Sequence, residues 1–156
     1  MFEKIKVDTQ VFKARHKGNK GFFKYIYYPD YRMILLVRFS QWLYQYKLAK
    51  PLAFLTVMLN DFVSGIWVGP RVKIGEGAFF GHSRGLIFNP NAKIGKYCSF
   101  LSQVTLGGPN VELGDYVEVG AGAMVISTYE RHVTVGSYSL IGAGAVVTKS
   151  VPPFSV

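Results

Sequence analysis

From Gly65 onward a large apolar residue returns every six positions, a period that neither an ordinary strand nor an amphipathic helix produces. The anchors run Val68, Ile74, Phe80, Leu86, then Ile94, Phe100, Leu106, then Leu113, Val119, Val125, and last Val135, Ile141, Val147. Four positions after most of them stands a smaller residue: Ala78, Cys98, Val104, Val117, Ala123, Ser139 or Ala145. Glycine often follows the anchor, as at Gly75, Gly95, Gly114 and Gly136, where it accepts the backbone angles of a tight corner. Six residues make one short strand and one corner, and three such units close a triangular coil. Stacked coils pair their backbones as parallel sheets, and large and small residues alternate inside.

The register slips three times. Leu86 to Ile94 is eight residues, Leu106 to Leu113 is seven and Val125 to Val135 is ten. In a solenoid such insertions leave at the corners and gather on a binding face. Arg84 occupies a slot where a small inward residue is expected, a local rule violation of the kind found at functional sites.

Before Gly65 the pattern is helical. Leu35, Leu36, Phe39, Trp42, Leu43 and Tyr46 recur at three- and four-residue spacing after Pro29, with Asp30 placed to cap. Pro51 opens a second helical run beyond the "KLAK" break. Residues 1–28 are basic and aromatic, carry no readable period, and contain "HKGNKG", which reads as a loop. The expected organisation is a helical region over 1–64 followed by a coil over 65–156.

The charge is uneven. Residues 1–50 hold eleven Lys/Arg against three acids, while 51–156 hold seven against six. The excess suits acidic headgroups, an anionic substrate or an acidic partner, and equally a solvated helical face. The single cysteine, Cys98, cannot build an internal disulfide framework, which fits a reducing compartment. It falls in a small inward slot and reads as packing. The charged N-terminus has no signal-peptide core, and the apolar stretch near "PLAFLTVMLNDF" is too short to span a bilayer. His16, His82 and His132 are the only histidines, and their spacing excludes a three-histidine zinc site of the γ-carbonic-anhydrase kind. No metal is expected. His132 reads as an exposed loop residue, and His16 has no evident partner.

The order "VGPRVKIGEGAFFGHSRGLIF…AKIG", "SQVTLGG" and two "GAGA" blocks resembles the hexapeptide-repeat acyltransferases, within them the serine O-acetyltransferase-like branch. "YRMILLVRFSQWLY" is similar to the helix before the coil in that branch. The resemblance implies a mainly β chain: a left-handed parallel β-helix with an N-terminal α-helical segment. It further implies a homotrimer with acetyl-CoA, the acyl donor, in the groove between subunits. The family's catalytic histidine stands in an "H-x-x-G" segment, which here places His82 as general base. The residue type suits the role, since histidine exchanges protons near neutral pH. The second glycine of "TLGG" and the first alanine of each "GAGA" map donor binding onto Gly108, Ala121 and Ala143.

Departures from the family are as informative. Trp67 stands where an aspartate pairs with the histidine, and Gly81 stands where an aspartate helps to bind serine. The "R-H-P" loop after "TLGG" is replaced by "PNVE", and the upstream "D-P" segment is absent. These losses imply a hydroxyl acceptor other than serine, namely a sugar of a surface-polysaccharide precursor. The expected setting is cytoplasmic, with peripheral contact at the inner membrane face through the basic N-terminal region. Nucleic acid is not an expected partner. The alternatives are serine O-acetyltransfer itself and a non-catalytic trimeric scaffold. The sequence stops at "VPPFSV", where the family continues with a "G-x-P-A" turn over the donor site, so either a cut-off chain or a short natural one would bind CoA weakly.

Overall fold

The computed structural model describes residues 1–16, 27–82 and 84–156. Among the described residues three α-helices come first: α1 Phe2–Arg15, α2 Pro29–Leu43 and α3 Lys50–Ser64, with a 3-10 turn Lys47–Ala49 before α3. α2 starts from an extended Tyr28, with Pro29 in the first turn. The N-cap position belongs to Tyr28 and not to Asp30, which places a negative charge in the first turn. α3 ends at Gly65, whose φ of +64° makes the left-handed cap that turns the chain into the coil. "HKGNKG" lies outside the described residues except for His16. That residue closes α1, stacks on Phe12 at 4.0 Å between ring centroids, and donates from Nδ1 to the Phe12 carbonyl at 3.0 Å. His16 therefore has partners that the sequence did not suggest.

Thirteen short strands then wind a parallel β-solenoid of about four turns, a left-handed β-helix. The first face stacks β1 Trp67–Val68, β4 Ile87–Phe88, β7 Thr105–Gly107, β10 Met124–Ile126 and β13 Val146–Val147. The second stacks β2 Lys73–Ile74, β5 Lys93–Ile94, β8 Val111–Leu113 and β11 Val133–Val135. The third stacks β3 Phe79–Phe80, β6 Ser99–Phe100, β9 Glu118–Val119 and β12 Leu140–Ile141. Every described strand pair is parallel, and the anchors pair rung on rung: Ile74 with Ile94 with Leu113 with Val135, and Phe80 with Phe100 with Val119 with Ile141. All of these are buried. Phe80, Phe88 and Phe100 pack ring against ring in the interior.

One anchor moves. On the first face Val68 pairs with Phe88, and Phe88 with Leu106. Leu86 is buried instead in the smaller slot, stacked between the Ile66 and Val104 positions. The two extra residues of the first slip therefore lie between Phe80 and Leu86, not after Leu86. Arg84 fills no inward slot and is exposed on that enlarged corner.

The repeating glycines also have a different reason. Gly75, Gly95, Gly114 and Gly136 are absent from the positive-φ residues. They are small because the coils approach closely: a Cβ on Gly114 would come within 2.7 Å of the Ser137 nitrogen. The left-handed corner position two residues on is taken by Tyr97, Tyr116 and Tyr138, then Phe154. Their rings stack at 4.9, 4.8 and 5.2 Å between centroids. Stacking of successive rings, near-parallel at 14°, 6° and 1°, offsets the backbone cost at each corner.

α1 and α2 are tied to the coil by a buried ion pair. Arg38 donates from Nε to Asp8 Oδ2 at 2.8 Å and from Nη1 to the Ile74 carbonyl at 2.9 Å. Asp8 Oδ1 in turn accepts the Ala78 N–H at 3.0 Å.

Cys98 sits fully buried in its small slot with Sγ 3.1 Å from the Gly114 carbonyl. Burial pushes its thiol up to about 11, so almost no thiolate exists at neutral pH. Ellman's reagent at pH 8 is expected to leave the native protein unlabelled and to titrate one thiol per chain after denaturation. Rapid labelling of the native state would contradict this packing.

Candidate active site

His82 lies on the corner that joins the third face to the first, within the two-residue enlargement. Its backbone is left-handed, with φ +49°. Twelve described residues have positive φ, and ten of them fall into two recurring columns. One column is Gly65, Gly85, Gln103, Gly122 and Gly144. The other is Gly77, Tyr97, Tyr116, Tyr138 and Phe154. Only His82 and Gly108 fall outside the columns, and each belongs to an inserted corner. A non-glycine residue in this region costs roughly 1–2 kcal/mol, so the departure at His82 is a local expense the repeat itself does not require. The corner is held by the His82 carbonyl, which accepts the Arg84 N–H at 2.9 Å.

The imidazole is exposed. Below it the corner column shrinks from Arg84 through Ser102 to Ala121 and Ala143. Gly122 N–H bonds the Ser102 carbonyl and Gly144 N–H bonds the Ala121 carbonyl, each at 2.8 Å. Small side chains there leave the backbone of the later coils open to a slender ligand. Gly108 is elsewhere, on the corner between the first and second faces. It has φ +81°, and a Cβ there would meet Ser127 Oγ at 2.6 Å. A single chain thus places Ala121 and Ala143 at one edge of the first face and Gly108 at the other.

The first face between these edges presents an apolar stripe. Trp67 is 48% exposed, Ile87 51%, Met124 42% and Val146 61%. Trp67 is a rung of this stripe, where the resemblance expected an aspartate facing the histidine. Among the described residues no side chain hydrogen-bonds the His82 imidazole.

The opposite flank was not foreseen. Gly81 is buried beside His82, and a Cβ on it would come to 2.7 Å from Phe79 Cε1 and 3.1 Å from Leu101 Cδ2. Phe79 is itself pinned by α1. The Arg15 guanidinium lies 4.6 Å over its ring, and Phe12 and His16 stand 6.1 Å away. Arg15 also pairs with Glu118 at 3.2 Å. The space that a serine-binding aspartate would need is therefore filled by hydrocarbon. The sequence carried one signal of this, since Phe79 is a large apolar residue on an outward position and so needs a cover.

His132 is exposed in the third slip, with Nε2 3.7 Å from Glu112 Oε1, away from the His82 corner. Among the described residues no group of three or more His, Cys, Asp or Glu could hold a metal ion, and no helix is long and apolar enough to cross a membrane.

A three-faced coil of hexads, with histidine and small-residue motifs ordered along one corner, defines a hexapeptide-repeat β-helix protein. No family model matches the chain. Curated relatives do. A serine acetyltransferase of Synechococcus elongatus is 30% identical over 138 residues, covering 83% of this chain and 56% of that protein. The serine acetyltransferase of Synechocystis is 32% identical over 136 residues, 81% of this chain and 53% of that protein. The chain spans about half the length of these relatives. Among solved structures, serine acetyltransferase of Neisseria gonorrhoeae in complex with serine superimposes with a TM-score of 0.85 at 27% identity, over 98% of this chain and 64% of that one. That of Brucella abortus in complex with coenzyme A gives 0.82 at 28% identity, over 97% and 62%. The chain belongs to the hexapeptide-repeat family, in its serine O-acetyltransferase branch.

Proposed function

We propose that this chain transfers an acetyl group from acetyl-CoA to the hydroxyl of a small acceptor, serine, with His82 as the general base. The observation that carries the reading is His82 itself: an exposed imidazole on an enlarged, left-handed corner above a column of small residues. Acetyl-CoA would lie along that column, against Ala121 and Ala143. Gly108 would reach it from the far edge of the first face of a neighbouring protomer. The imidazole removes the proton of the acceptor hydroxyl as the oxygen attacks the thioester carbonyl. The tetrahedral intermediate collapses, the carbon–sulfur bond breaks, and the imidazolium returns its proton to the departing CoA sulfur.

A trimer belongs to this proposal. The apolar stripe of Trp67, Ile87, Met124 and Val146 supports it, as does the exposed side of α3 with Leu55, Met58 and Phe62. A cytoplasmic setting is part of the same reading, supported by the lone reduced cysteine. The eleven cations of residues 1–50 support contact with an acidic surface, including the inner face of a membrane.

The sugar acceptor expected from the missing serine-binding groups finds no support among the relatives described above, which are serine acetyltransferases. Gly81 still favours it as a second reading, because the atoms that crowd a side chain at that position are those of Phe79 and Leu101, and no carboxylate stands there for an amino acid's ammonium group. Release of CoA thiol from acetyl-CoA separates the two. Turnover that depends on L-serine is the expected result. Turnover with hexoses or amino sugars and none with serine would transfer the assignment to the second reading, and consumption with neither class would remove the enzymatic one.

A further inference from the structure

The second face of the coil lies opposite the His82 corner and is the wall of a separate groove of about 840 Å³. Its other walls are the first turn of α1 and the C-terminal end of α2. The size is that of a small-molecule site. Five cations line it, Lys4, Arg38, Arg71, Lys73 and Lys93, and no carboxylate does.

The cations are not equivalent. Arg38 is spent on Asp8 and two carbonyls of the coil. Lys4 donates to the Ile74 carbonyl at 2.8 Å, and its pKa is lowered, first by burial and then by the Arg38 charge. Arg71 bonds only a neutral group, Asn91 Oδ1 at 2.9 Å, which leaves most of its fork available. Lys73 and Lys93 are direct partners across the β2–β5 ladder. Adjacent strands are about 4.8 Å apart, and like charges set opposite one another destabilise a sheet. Glu112, on the next rung, pairs with Lys93. Lys73 has no carboxylate among the described residues.

We propose that this groove binds a small soluble molecule carrying two adjacent phosphoryl groups, held between Lys73, Lys93 and Arg71. Two neighbouring anionic groups match two ammonium groups one rung apart, and the Arg71 fork adds charge-assisted bonds to phosphoryl oxygens. The negative end of the α2 dipole at Trp42 and Tyr44 directs the phosphoryl groups to the coil side of the groove. The site is independent of acetyl transfer, since it is on the face away from His82. A recessed volume of this kind favours a free organic diphosphate over a membrane surface, which would meet only the outermost cations.

Calorimetric titration of the full chain with inorganic pyrophosphate tests this. The expected result is saturable binding of one equivalent per chain that weakens at least tenfold in Lys73→Glu and also in Lys93→Gln. Lys73→Glu places an acid opposite Lys93 and so is expected to fold as well as the parent, which a melting curve checks. His82→Asn should bind pyrophosphate as the parent does. Equal affinity of parent and Lys73→Glu would overturn the proposal. So would equal binding of sulfate, or retention only on phosphatidylglycerol vesicles with no binding of pyrophosphate.

Discussion

Replacement of His82 by asparagine is expected to lower kcat for acetyl transfer by about 10²–10⁴-fold, the usual contribution of a positioned general base. Asparagine is the informative choice. It tolerates the left-handed backbone that His82 adopts at φ +49°, and it cannot accept a proton at neutral pH. Alanine would remove the base and also strain the corner, so a loss of activity could be read as misfolding. His82 is exposed and contributes no core contact, which leaves the melting temperature of His82→Asn close to that of the parent. The donor column at Ala121 and Ala143 lies on later coils, so the affinity for CoA should also persist. A loss in kcat with unchanged CoA binding identifies a proton-transfer role. A His82→Asn protein that keeps more than a tenth of the parent kcat would sink the assignment, and with it the mechanism drawn above.

Much of the coil was legible from hexads alone. The anchors named most of the interior, and the second and third slips named two of the three corners that depart from the repeat, the second of them carrying Gly108. The His82 corner is the third, and the hexads set its two extra residues one corner too late. The exact place of the first slip was not legible, because Leu86 and Phe88 are both apolar and either satisfies a six-residue period. Only pairing with Val68 and Leu106 decides for Phe88. Corner chemistry was misread for a related reason. Glycine at Gly75 or Gly114 looks like a turn residue, whereas the unusual φ falls on tyrosines whose stacking no single-residue propensity anticipates. The wall beside Gly81 depends on α1, and α1 was invisible. Its buried positions are Asp8, Thr9 and Phe12, a contact centred on polar groups that no hydrophobic period can report.

That polar centre predicts the largest effect on stability. Asp8 and Arg38 are 3% and 2% exposed, and each meets the other and the coil. Removing one partner leaves an uncompensated charge in the interior, which costs about 3–5 kcal/mol. For a chain of this size that is roughly 10 °C in Tm. Asp8→Ala and Arg38→Ala should each reach this range in urea unfolding. The pair replaced together, Asp8→Leu with Arg38→Met, removes the stranded charge and should recover part of the loss. Recovery is incomplete for a structural reason. Arg38 also satisfies the carbonyls of Ile74 and Gly75, at 2.9 and 2.5 Å, and Asp8 satisfies the Ala78 N–H. Each of these groups, left buried without a partner, costs about 1–3 kcal/mol. The double variant should therefore remain less stable than the parent while standing well above the sum of the single losses. Single losses that simply add would mean that the two side chains act separately, and that α1 is held to the coil by something other than this ion pair.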